Sequence, residues 1–193
     1  GGNCKTTIDM ILSKKLKIKG ILDEKFDKND ITCYKNIKII GKISDIINYK
    51  NYNIVMTIGN IDFRINFFNK YNNYKFINII HDKSSVSDSA NLGKGIIIHF
   101  GVYIGPDTII GDYCHLDTNS IIEHDCVLKN NIMICPNSTI CGEVIINQNV
   151  FIGAGSTVIN STNSKKIILN ENCFIGAGSL ICKSIETNEL YYG

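Results

Sequence analysis

Tryptophan is absent from this chain and proline occurs only twice in 193 residues. No uninterrupted apolar run approaches the ~20 residues of a membrane helix, so a membrane-spanning segment is not expected. No signal peptide is read at the start. The net charge of +2 is too slight for a nucleic-acid footprint. The lysines gather before residue 84, leaving the second half neutral to acidic. No CxxC pair exists to support a metal or redox reading. Ile and Asn are abundant, which reads as nucleotide bias in the coding genome and not as function.

Against these absences stands one strong regularity. An aliphatic residue returns every sixth position from Val86 through Leu92, Ile98, Ile104, Ile110, Leu116, Ile122, Leu128, Ile134, Ile140, Ile146 and Ile152 to Val158. It resumes at Leu169, Ile175 and Ile181. A period of six fits neither a helix nor an ordinary strand pair. It is the mark of a parallel β-helix of hexapeptide repeats, at three hexads per coil and about five coils. The register breaks once after Val158. The excess, residues 160–166, is polar and is expected to form a surface loop.

The register also gives an account of the cysteines, eight in all. Cys114, Cys126 and Cys173 fall on the fifth position of the hexad. The other fifth positions hold small, β-branched or aliphatic residues such as Ala90, Val102, Thr108, Ser120, Ser138, Thr162 and Ser179. Cys135, Cys141 and Cys182 fall on the second position. All six are expected to be packing residues, with free Cys behaving as a small hydrophobe. Reduced structural thiols imply a cytoplasmic protein.

Residues 1–80 alternate in type. A helix is expected over 6–14, a strand over 17–22, a strand over 37–40 and a short helix from a Ser44 cap to about 50. A strand over 53–58, a helix over 61–71 and a last strand over 75–80 follow. Such alternation implies an α/β unit with a parallel sheet. A unit of this kind normally opens with a buried strand before its glycine turn, and that strand is missing before Gly1-Gly2. The expected domains are therefore 1–80 and 81–193.

One polar group stands out within the hexads. In Ile122-Glu123-His124-Asp125-Cys126, the imidazole lies at a corner and can project outward. A neighbouring carboxylate can fix its tautomer and stabilise the imidazolium, which makes a general base. A solvated corner histidine would show the same spacing. Residues eighteen apart stack, so Gly142 sits one coil on from His124 and Pro106 one coil before. A bare Gly142 N–H could bind a developing oxyanion, or the glycine could simply serve a tight corner. His99 stacks with Asp117 and Cys135, a conceivable ligand row. No three-histidine set falls in place, however, and no metal is expected. Gly153-Ala154-Gly155 and Gly176-Ala177-Gly178 offer a flank with little bulk, suited to a long cofactor arm or to coil packing.

The segments at 121–126, 134–138, 141–142 and 151–156 resemble the left-handed β-helix acyltransferases that modify sugars. The likeness is greatest to nucleotide-linked 4-amino-sugar N-acetyltransferases of the bacillosamine and perosamine type, with sialic acid O-acetyltransferases near them. Gly1-Gly2-Asn3-Cys4-Lys5 resembles that family's glycine turn, with Asn3 where His is usual. Residues 20–24 and 58–64 resemble further segments of its small Rossmann-like domain.

The resemblance implies an acetyl-CoA-dependent N-acetyltransferase acting on a nucleotide-linked 4-amino-4,6-dideoxy sugar, with UDP the expected nucleotide. A sugar O-acetyltransferase and a non-catalytic sugar-nucleotide binder are the alternatives. It assigns His124 as general base, with Asp125 and Glu123 supporting it. Gly2, Asn3, Asp23, Asn60, Arg64 and Asp117 are the implied substrate contacts. Met133, Gly142, Gly153, Ala154 and Ala177 are the implied cofactor contacts. It implies a homotrimer with sites between subunits. Asp117 departs from a usual Asn near the sugar amine, and Met133 from a frequent His on the cofactor side.

Overall fold

The computed structural model describes residues 1–27, 33–162 and 164–193. From residue 79 onward the chain winds as a triangular parallel β-helix with three walls. Each strand is two residues long and pairs in parallel with strands one coil away. The first wall carries Ile79–Ile80, Ile97–Ile98, His115–Leu116, Met133–Ile134, Phe151–Ile152, Phe174–Ile175 and Leu190–Tyr191. The second runs from Ser85–Val86 to Leu180–Ile181, and the third from Asn91–Leu92 to Ile168–Leu169. Ile79–Ile80 pairs with Ile97–Ile98, so the first wall begins just before the expected boundary at 81.

The hexad positions have distinct physical roles. First-position aliphatics from Ile98 to Ile181 are sealed at 0–1% exposure, while Val86 and Leu92 at the open first coil are half-buried. From Ile96 onward the fifth positions are equally closed, including Cys114, Cys126 and Cys173, while Ala90 in the first coil is half-buried. Thr162 is the exception. It is exposed in the loop, and Ile167 fills the inward slot instead. The second position is not an inward slot: Cys135 and Cys141 are only half-buried and Cys182 is exposed.

The fourth position is left-handed backbone. Asp107, Asn119, Asp125, Asn131, Asn137, Asn149, Asn172 and Asn188 all have φ between 56° and 62°. Asn and Asp tolerate this region best among non-glycine residues. Six of the 24 asparagines thus have a structural reason beyond nucleotide bias. The loop closes through a Thr162–Lys165 bridge, while Asn163 lies outside the described residues.

The N-terminal unit has helices α1 (Gly2–Ser13) and α2 (Ile61–Tyr71) and strands β1 (Ile21–Leu22), β2 (Cys33–Tyr34) and β3 (Ile37–Gly41). β1 pairs with β3 in parallel, but β2 pairs with β3 antiparallel, so the sheet is mixed. The expected short helix is a 3-10 turn over Ile43–Tyr49. Its entry is fixed by Asp45 Oδ2 accepting the Lys42 N–H at 2.9 Å, and not by Ser44. The expected strand over 53–58 makes only an isolated bridge, Ile54 to Phe76. An apolar cavity of about 340 Å³ separates this segment from β1, beneath α1. Among the described residues no helix is long and apolar enough to cross a membrane.

Candidate active site

His124 sits at the corner between the second and third walls, where the chain turns through the left-handed Asp125 (φ 57°). That turn brings the Asp125 carboxylate back onto the ring. His124 Nδ1 donates to Asp125 Oδ2 at 2.8 Å, with both side chains about half exposed. The hydrogen bond to Asp125 raises the imidazole pKa above its ordinary value, and the Glu123 and Glu143 carboxylates add to the effect. The proton is thereby held at Nδ1, leaving Nε2 as the basic nitrogen.

The coil above brings Gly142 against this ring. The Glu143 N–H donates to the His124 carbonyl at 3.0 Å, which sets the stacking. A Cβ on Gly142 would stand 2.6 Å from His124 Cε1 and 2.7 Å from Nε2. Glycine is therefore required for the imidazole to hold this position. The Gly142 N–H has no protein acceptor among the described residues. A basic nitrogen and an unpaired backbone donor thus share one corner.

The implied substrate contacts of the N-terminal unit divide. Asn3 and Met133 both lie beside Gly59, where a Cβ would meet Asn3 Nδ2 and Met133 Cε at 3.5 Å each. Gly2 is exposed at the start of α1, which has no side-chain cap. Asp23 follows β1, where its Oδ1 accepts the Lys25 N–H at 2.9 Å. Asn60 caps α2 by accepting the Phe63 N–H at 2.7 Å. Arg64 is not presented to a ligand. It is 1% exposed and donates to Asn131 Oδ1 at 2.8 Å, to the Ile58 carbonyl at 2.9 Å and to the Tyr113 carbonyl. Burial lowers its pKa to about 10. It clamps the N-terminal unit to two successive coils.

Asp117 lies on another corner, between the first and second walls. Its Oδ1 accepts the Thr118 N–H at 2.8 Å. Cys135, Gly153 and Gly176 follow it along the same edge, one coil at a time. Gly153 is buried, and a Cβ there would stand 2.5 Å from the Ala177 nitrogen, so coil stacking alone requires it. Ala154 and Ala177 are exposed beside it and leave a smooth strip.

Beneath Asp117 the structure places a pair that the spacing did not single out. His99 Nε2 and His115 Nε2 are 2.9 Å apart, with both side chains buried. Burial lowers the pKa of each, and His115 lies well below the ordinary range. The signal was a separation of sixteen. Two residues short of a full coil, it sets a strand residue beside the corner residue of the preceding coil. The thiols are quiet by comparison. Burial raises Cys114 to about 12 and Cys126, Cys135 and Cys173 to about 11.

Residues 1–71 match the family model of the PglD N-terminal domain. The structure superposes on GDP-perosamine N-acetyltransferase from Caulobacter crescentus, solved with CoA and GDP-perosamine. The TM-score is 0.88 at 23% identity, covering 100% of this chain and 90% of that one. The acetyltransferase domain of PglB from Neisseria gonorrhoeae, solved with acetyl coenzyme A, gives 0.87 at 20% identity, covering 100% and 92%. The fold is that of the left-handed β-helix sugar acetyltransferases.

Curated relatives match parts of the chain. An uncharacterized protein of Acanthamoeba polyphaga mimivirus is 33% identical over 113 residues, 58% of this chain and 22% of that protein. GDP-perosamine N-acetyltransferase of Escherichia coli is 34% identical over 82 residues, 42% of this chain and 37% of that enzyme. Serine acetyltransferase of Synechococcus elongatus is 33% identical over 89 residues, 41% and 36%. The chain therefore spans well under half the length of each of these relatives.

Proposed function

We propose that this protein transfers the acetyl group of acetyl-CoA to the amine of a nucleotide-linked 4-amino-4,6-dideoxy sugar. One observation carries the reading: an imidazole polarised by Asp125 and seated on the bare backbone of Gly142. The sugar amine attacks the thioester carbonyl, and His124 Nε2 takes the proton that the amine loses. The Gly142 N–H stabilises the oxyanion of the tetrahedral intermediate. Collapse breaks the C–S bond, and the CoA thiolate leaves with the proton from His124. Glu123 and Asp125 hold the imidazolium in the interim. Ala154, Ala177 and the adjoining Gly153 line the pantetheine path, with Met133 at its side. Gly2, Asn3, Asp23 and Asn60 serve the nucleotide sugar, while Arg64 supports them from within.

A homotrimer with sites between subunits is part of this reading, as is a cytoplasmic location. Asp117 and His124 stand on adjacent corners of one triangular coil, so they meet one substrate most simply across two chains. The third wall also turns Ile109, Val127, Ile145 and Ile168 outward, a continuous aliphatic row suited to a neighbouring subunit. Likeness to GDP-perosamine enzymes puts GDP beside UDP as the nucleotide to be tried.

The test is His124→Ala assayed with acetyl-CoA and a panel of UDP- and GDP-linked 4-amino sugars. A loss of about 10²–10⁴-fold is expected, and near wild-type turnover would sink the base assignment. Asp125→Asn refines it. Asn keeps the left-handed backbone at this position but removes the carboxylate that raises the His124 pKa. The base works unprotonated, so activity falls as pH drops through that pKa. The acid limb of kcat/KM should therefore move to lower pH in the variant.

A further inference from the structure

The buried pair under Asp117 fixes a proton arrangement. The two rings lie within 14° of parallel with centroids 4.9 Å apart, while their Nε2 atoms are 2.9 Å apart. The centroid separation is close to the Nε2 separation plus two ring radii, so the rings meet edge to edge. Their lone-pair axes oppose each other, which suits one N–H···N hydrogen bond and not convergence on a shared ion.

The direction of that bond follows from the other nitrogens. His115 Nδ1 is sealed from water without a partner. A neutral imidazole carries one N–H, and an orphaned buried donor is less tolerable than an orphaned acceptor. His115 Nδ1 is therefore the bare nitrogen, and His115 Nε2–H donates to His99 Nε2. His99 must then carry its own proton at Nδ1. That nitrogen has no protein partner among the described residues, yet it is not among the sealed polar atoms.

Asp117 is the carboxylate at hand. One of its oxygens and a nitrogen of each ring lie within 4.8 Å of one another. Asp117 and His99 occupy equivalent corner positions in successive coils, through Asp117 N–H to Ile134 and His99 N–H to Leu116, at 2.8 and 3.0 Å. Of the other titratable groups nearby, His81 faces His99 and Arg64 faces His115.

We propose that His115 locks His99 as an Nδ1–H donor, and that His99 and Asp117 together read the acceptor sugar. The neutral N–H and the carboxylate belong to stacked corner residues, so they supply one donor and one acceptor along a single edge of the coil. This is the pair of functions that one asparagine amide offers, so the corner does not depend on Asp117 alone. A sugar hydroxyl or amine that both accepts and donates fits it. His115 is a positioning residue that acts through His99. The sugar role rests on the acetyl-transfer reading, whereas the tautomer assignment does not.

Imidazole ¹⁵N–¹H correlation spectra of the full chain test the lock directly, and four histidines keep the assignment tractable. His99 is expected as the Nδ1–H form and His115 as the Nε2–H form. In His115→Leu the His99 preference should be lost, and KM for the sugar nucleotide should rise several-fold with KM for acetyl-CoA unchanged. His115→Gln, which can still donate, should restore both, and this separates a donor role from mere packing. Finding His99 protonated at Nε2 in the wild type would overturn the proposal. So would uptake of one divalent zinc per chain that His115→Leu abolishes. If the tautomers are as assigned but no acetyl transfer occurs, the parent reading fails. The sugar role is then decided by calorimetry with the same UDP- and GDP-sugars, where equal binding by wild type and His99→Leu overturns it.

Discussion

The coil interior and the junction beneath α2 both exclude water, but they do so with different side chains. Inside the coils the sealed residues are Ile, Leu, Val, Cys, Ser and Thr, with no aromatic ring among them. At the junction the packing is aromatic: Phe67, Phe68, Tyr71, Tyr74 and Phe76 from the N-terminal unit, and Tyr113 from the solenoid. A triangular coil offers the same slot at every turn, and one branched aliphatic side chain fills it. Neighbours above and below are alike, so a vacancy is shared. The junction has no such repeat. Phe68 stacks on Tyr113 at 3.9 Å and 13° and meets Phe76 edge-on at 5.4 Å, so each ring has a partner it alone can fit.

Three substitutions bear on this contrast. Phe68→Ala should cost the most, about 4 kcal/mol in urea unfolding, and should open the N-terminal unit to limited proteolysis before the coils. Ile146→Ala, in a sealed slot of the third wall, should cost about 3 kcal/mol because the coils around it can relax. If the order of these two were reversed, the shared-vacancy account would be broken. Gly142→Ala should change stability by only about 0.5 kcal/mol, since the half-exposed His124 ring can swing outward. Its kcat should nonetheless fall about 10²-fold, as expected when a catalytic group is displaced by about an ångström. A loss of stability as large as that at Ile146 would show the corner to be structural.

The same contrast explains what was legible in the sequence. From Ile98 onward the hexad register predicted inward positions because every coil poses the same steric question. It also stacked Gly142 on His124 at the correct separation. α2 was read from Ile61 to Tyr71 because Asn60 caps it locally. The reading failed where long-range contacts decide. Arg64 resembled a ligand contact, yet its partners Tyr113 and Asn131 are remote in sequence. Residues 53–58 carry strand-like side chains but form no ladder beyond one bridge, because β1 lies across a cavity from them. His99 and His115 occupy different hexad positions, so no single row of stacked residues contains both. Second-position cysteines share their residue type with the inward fifth-position ones, and residue type alone does not separate the two environments.

The Arg64 clamp also gives the solenoid the character of a ruler. Successive coils advance by one strand spacing, about 4.8 Å. Arg64 grips the carbonyl of Tyr113 and the side chain of Asn131, which are equivalent corner residues of neighbouring coils. The height of the N-terminal unit along the axis is therefore counted in whole coils from the turn that carries His124. Inserting eighteen residues between Asn131 and Gly142 would leave each wall paired, yet would move any group bound near Gly142 one graduation away from the unit anchored below.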